Sequence, residues 1–163
     1  MYKLLLSVML ALALAVGSAA TAAASPNSYP DTVVGIETAL PQGNTSTFAG
    51  FAFGQLPGPW TASVSYTSVP GAIIGGSFAL KTSRFGVVKG LFGATGGTIA
   101  LLRSSSGGGF CTQTYEVADT LSLGAPTTGS GTFDVILTHY GFVVADGCQV
   151  FFATVYGTVI LSF

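Results

Sequence analysis

Gln113, Tyr115, Asp119 and His139 are polar or titratable, yet each stands in line with large apolar residues where a greasy face should continue. An imidazole changes charge near neutral pH and serves as acid, base or ligand contact. A carboxylate taken out of water has to be hydrogen-bonded, paired or neutral. Asp119, His139 and Tyr115 together would supply an acid, a base and a positioning donor for isomerase or cyclase chemistry on an apolar substrate. The same three with Gln113 would equally line the binding site of a small apolar ligand. The plainer alternative is that these groups satisfy one another and pin the strand register, or that the strand end is open to water.

Other chemistries lack their residues. His139 is the sole histidine and no C-x-x-C spacing occurs, so no metal site is expected. No glycine-rich run both follows a strand and opens a helix, and Ser106 has no G-x-S-x-G context, so neither a phosphate loop nor a serine nucleophile is indicated and no cofactor is expected. Charged residues make up 7% of the chain and the formal net charge is −1, against about 25% charged residues in ordinary soluble proteins. Nucleic acid is thereby excluded as a partner on electrostatic grounds. Lys81, Arg84, Lys89 and Arg103 share one central window, which reads as edge and turn residues that keep strands soluble.

The elements that must hold the four residues are strands. Trp60, Ala62, Val64 and Tyr66 alternate with Thr61, Ser63, Ser65 and Thr67, the period-two pattern of a half-buried strand. A glycine followed by a hydroxyl residue opens further alternating runs at Gly76, Gly97, Gly131 and Gly157, each glycine on the apolar face, where a sheet bends or another backbone comes close. Eight or nine such segments follow one another, near 33–40, 47–54, 60–68, 73–82, 85–92, 97–103, 111–123, 132–143 and 149–162. Their short links favour antiparallel neighbours, because a parallel crossover needs about a dozen residues or more. The expected fold is all-β: a single antiparallel up-and-down barrel of about eight strands, with a sandwich as the alternative. The glycine-led strands resemble in general texture those of calycin-like and allene-oxide-cyclase-like barrels, without a motif specific to either.

Placing a hairpin tip at Pro126 and Thr127 sets Tyr115 opposite His139 and Cys111 near Val143. The next turn returns Cys148 beside Phe142. Both cysteines then lie at one end of the sheet, flanking its middle strand, and are expected to form a disulfide. On the chain-entropy account a loop of this length contributes about 4 kcal/mol. The last strand is apolar on both faces, so either it lies in the middle of the fold or its outer face meets a partner or lipid.

Lys3, the apolar run from Leu4 to Val16 and the small residues Ala22, Ala23 and Ala24 form an export signal, which divides the chain into a signal peptide, 1–24, and a barrel domain, 25–163. The protein is expected to be secreted or held at the cell surface, where it binds a small apolar ligand or a surface partner. The alternatives are the isomerase or cyclase above and a small outer-membrane barrel, for which the aromatic terminus Phe163 speaks.

Overall fold

Alternation of period two carries through into nine strands: β1 (Ser28–Ala39), β2 (Thr45–Gly54), β3 (Gly58–Tyr66), β4 (Gly71–Thr82), β5 (Gly86–Phe92), β6 (Gly97–Gly107), β7 (Phe110–Leu123), β8 (Gly129–Val144) and β9 (Gly147–Ser162). The computed structural model describes residues 27–39, 43–93, 96–145 and 147–163. The expected signal segment, 1–24, lies outside the described residues.

All pairings are antiparallel, and β1 pairs with β9 as well as β2, so the sheet closes on itself. β5 and β6 share one position in the ring. Both run antiparallel to β4 and β7, β5 pairing with Ser77–Thr82 of β4 and β6 with Gly71–Ile73. The result is an eight-position closed barrel in which one position is filled by two consecutive strands, as the short links and even alternation led us to expect. It is one wound sheet rather than a sandwich. The turns β1–β2, β3–β4, β6–β7 and β8–β9 gather at one end, here the upper; the β2–β3, β4–β5 and β7–β8 turns and both described termini lie at the lower end, and the β5–β6 link lies partway up the wall.

The lower half is filled. Phe92, Phe133, Phe78 and Trp60 form one aromatic cluster with ring centroids 5.3 to 6.3 Å apart. Below it Tyr29 stacks on Phe163 at 5.0 Å, Phe85 meets Phe163 edge-on, and the Arg84 guanidinium lies 4.8 Å from the centre of the Phe85 ring. Arg84 is thus a lid on the closed end, whereas Lys81 and Lys89 are exposed on the outer face of β4 and β5. Trp60 reaches across the sheet so that its indole N–H donates to the Val34 carbonyl at 3.1 Å. The space it needs comes from a facing glycine pair, Gly35 on β1 and Gly50 on β2. A methyl at Gly50 would collide with the Val34 carbonyl oxygen and stand 2.8 Å from the indole nitrogen.

The disulfide forms as expected, with Cys111 and Cys148 Cα atoms 5.9 Å apart. It links β7 to β9 over β8, where Gly141, opposite Cys111, leaves room for the sulfur. The register of the β7–β8 hairpin differs from expectation by a slide of two residues: Gln113 faces His139, Tyr115 faces Leu137 and Cys111 faces Gly141. Leu123 and Gly129 close the hairpin, so the turn is centred on Pro126 rather than on Thr127. A slide of two keeps every side chain on its own face. On β9 the inner residues Ala153, Val155, Val159 and Leu161 are buried, while the outer Phe152, Tyr156 and Ile160 are exposed.

If the glycine pair is what admits Trp60, Gly50→Ala should lower unfolding free energy by about 1–3 kcal/mol, the usual cost of overpacking. Gly124→Ala, where the added methyl meets nothing within 4 Å, should stay within about 0.5 kcal/mol. Urea denaturation of the two variants measures both.

Candidate functional site

Above the aromatic cluster the barrel is hollow. A cavity of about 280 Å³ has Phe133 as its floor and Phe48, Val64, Val117, Leu137 and Val155 among its walls. The inner residues here are mostly valines, where the lower half uses rings, and the difference in side-chain volume is the hollow. Polar groups are confined to its upper rim: Ser46 from β2, Tyr66 from β3, Gln113 and Tyr115 from β7, and His139 from β8. Strand alternation puts each of them inward, and the β7–β8 register sets Gln113 and His139 side by side. The Tyr115 and His139 rings meet edge-on at 5.4 Å.

Glu37 completes the rim, and sequence reasoning did not single it out. It stands on β1 two residues beyond Gly35, with its side chain 6% exposed and an oxygen 3.9 Å from His139 Nε2. The Ser46 hydroxyl hydrogen-bonds the Glu37 carboxylate, and Ser46 Oγ lies 3.2 Å from the Tyr66 hydroxyl. Glu37, Ser46 and Tyr66 therefore form a connected polar chain on one side of the cavity, facing His139. Burial pushes the Glu37 carboxyl above its ordinary value, an effect the Ser46 hydrogen bond partly offsets. Burial lowers His139 and raises Tyr115. All three shifts favour the uncharged form, as expected in an apolar enclosure.

Asp119 is not at this site. It is buried near the β5–β6 break, where Oδ2 accepts from the Gly93 N–H at 2.8 Å and Oδ1 from the Thr120 N–H at 2.7 Å. Gly97 gives it room, because a Cβ there would overlap the Asp119 side chain. Asp31, also buried, plays the matching part at the lower end, taking the Leu56 N–H at 2.9 Å to hold the β2–β3 turn. Both aspartates satisfy backbone donors that a break or turn in the sheet leaves free. The structure therefore brings together Gln113, Tyr115 and His139 and places Asp119 apart from them.

Four buried side-chain polar atoms have no hydrogen-bond partner among the described residues. Two, Asp31 Oδ2 and Thr127 Oγ1, are at the lower end. The other two are Glu37 Oε1 and His139 Nε2, on neighbouring side chains at the cavity rim. Buried atoms of this kind cost stability unless something satisfies them, and a titratable pair left so beside a cavity makes this the candidate site. Comparison with protein-family models, with curated proteins and with solved structures gave no match to this chain.

The two shifts make opposite demands on pH. The stability due to uncharged Glu37 is complete below about pH 4.5 and is lost as pH rises through its raised folded value; that due to uncharged His139 is complete above about pH 6.5 and is lost as pH falls through its lowered one. Glu37→Gln removes the first dependence, so its unfolding free energy relative to wild type should be higher, the variant relatively more stable, at pH 8 than at pH 4. His139→Gln should gain in the opposite direction, between pH 7 and pH 5. Urea titrations across this range check the signs, and a difference that does not change with pH contradicts the assignment.

Proposed function

We propose that the protein is an exported barrel that binds a small, mostly apolar molecule in its upper half. The observation that carries this reading is the hollow itself: a cavity of about 280 Å³ above a packed aromatic floor, with apolar walls and polar groups at one rim. Its volume lies just below the range of roughly 300–1,000 Å³ common for ligand pockets, which suits a small ligand. The Cys111–Cys148 disulfide accords with an oxidising compartment. The inner face is apolar, and Thr and Ser residues recur along the outer faces of β3, β7 and β8. The outer faces of β1, β2 and β9 carry the exposed Ile36, Phe51, Phe53, Phe152, Tyr156 and Ile160, so it is the apolar interior, where membrane-spanning barrels are polar, that speaks against the outer-membrane alternative.

The reading as a module for a surface partner draws on a different feature. Phe110, Phe142 and Phe151 form a row of exposed rings on β7, β8 and β9, with centroids 4.8 to 5.3 Å apart. That row lies on the outer surface and does not account for the hollow.

Menthol, a compact alcohol, is a suitable probe. Saturating menthol should raise the melting temperature, since a ligand that binds only the folded form stabilises by about 2.7 kcal/mol at a hundredfold excess over its Kd, and it should be recovered chemically unchanged. Val135→Phe, which places a ring in the cavity, should lower affinity at least about tenfold. An equal shift in both proteins, or none in either, contradicts binding in the barrel; conversion of the probe would favour the enzymatic alternative.

A further inference from the structure

Within that binding reading, on which this inference rests, the geometry points to Glu37 as a positioning residue that selects the tautomer of His139, and to a ligand that carries a hydrogen-bond donor, a hydroxyl, at its polar end. The argument begins from direction. His139 turns Nε2 towards a Glu37 oxygen 3.9 Å away, while the same ring lines the cavity. At this distance there is no full hydrogen bond, but the electrostatics still choose between two arrangements. A lone pair on Nε2 would face the lone pairs of the carboxylate; an N–H would face them with its positive end. The second is favoured, and it holds the proton on Nε2.

A neutral imidazole carries one proton. With that proton on Nε2, Nδ1 is left with a lone pair and acts as an acceptor. No hydrogen bond within the described residues engages Nδ1, and it is not among the buried atoms that lack a partner. It is therefore the nitrogen left for a ligand. A hydroxyl donates to it; a ketone of the same shape has nothing to donate. The opposite side of the rim is already internally bonded, since Ser46 is engaged with both Glu37 and Tyr66. Gln113 and Tyr115, the other rim groups, can donate to an oxygen, so a hydroxyl can both donate to Nδ1 and accept from them, whereas a ketone can only accept; the ligand class that uses the whole rim is an apolar alcohol or phenol.

The experiment has two parts, both at pH 8, chosen to lie well above the ordinary carboxyl value because burial raises that of Glu37. Long-range proton–nitrogen correlation of the sole histidine reads the tautomer directly in the wild-type protein. The Nε2–H form is expected, and a population shift towards Nδ1–H in Glu37→Gln, whose amide can donate to Nε2. A mere packing role for Glu37 would not move this signal, and the wild-type spectrum decides the matter even if the variant does not fold. A wild-type spectrum showing the Nδ1–H form overturns the assignment.

Affinities for menthol and menthone, which differ by one donor, form the second part. The alcohol should bind at least about tenfold more tightly, the worth of one hydrogen bond in a largely apolar cavity. Equal affinities, or tighter binding of the ketone, overturn the hydroxyl assignment while leaving the cavity reading intact. Binding of neither overturns both.

Discussion

The Trp60 indole lies flat against β1 and β2 because Gly35 and Gly50 face each other beneath it and the Val34 carbonyl accepts its N–H. Phe78 and Phe133 pack on this anchored ring, and Phe92 packs on Phe133. An eight-stranded barrel has an interior just wide enough to be filled by side chains or to hold one small ligand. This one does both, at different heights. Once the rings occupy the lower half, the valine-rich upper half cannot fill the same cross-section, and a cavity follows from the shortfall in volume. The disulfide across Gly141 links the upper ends of β7 and β9 over β8, so the strands bearing Gln113 and His139 do not depend on their ladders alone to stay in place.

The three acidic residues on the inner face divide by what they touch. Asp31 and Asp119 each take backbone N–H groups freed by an irregularity in the sheet, one at the β2–β3 turn and one at the break between β5 and β6. They replace missing ladder bonds. Glu37 has no such task. Its contacts are Ser46 and, more distantly, His139, both rim residues of the cavity. An ionisable pair in an apolar enclosure lowers stability, since both members are driven towards neutrality, and the fold would be sounder with hydrocarbon in their place. Retaining it at the mouth of a hollow makes sense as recognition.

Much of this was legible from residue order. Alternation identified the strands, the inward glycines marked close backbone approaches, and two cysteines in an otherwise thiol-free chain found each other. Gln113, Tyr115 and His139 were recognisable because each interrupts an apolar face. Glu37 was not, and the reason lies in β1. Val34 and Ile36 are the larger apolar pair there and suggest themselves as the inner face, yet Ile36 is exposed and the buried parity runs through Tyr29, Asp31 and Val33. Trp60 covers Gly35 and so inverts the usual sign of that strand. Asp119 stands apart from the other three for a related reason: the break between β5 and β6 is a property of pairing with β4 and β7, which no local pattern announces. The two-residue slide in the β7–β8 hairpin came from the shape of one turn, and it changed His139's neighbour without changing its face.

The division of the barrel into a packed half and an empty half is the claim on which the rest stands, and xenon tests it without any assumption about the ligand. Dry apolar cavities take up the gas, whereas close-packed interiors do not. Diffraction from a crystal under xenon pressure should show an ordered atom among Val64, Val135, Leu137 and Val155 and none below Phe133. An upper barrel with no xenon, its side chains collapsed together, would contradict the account.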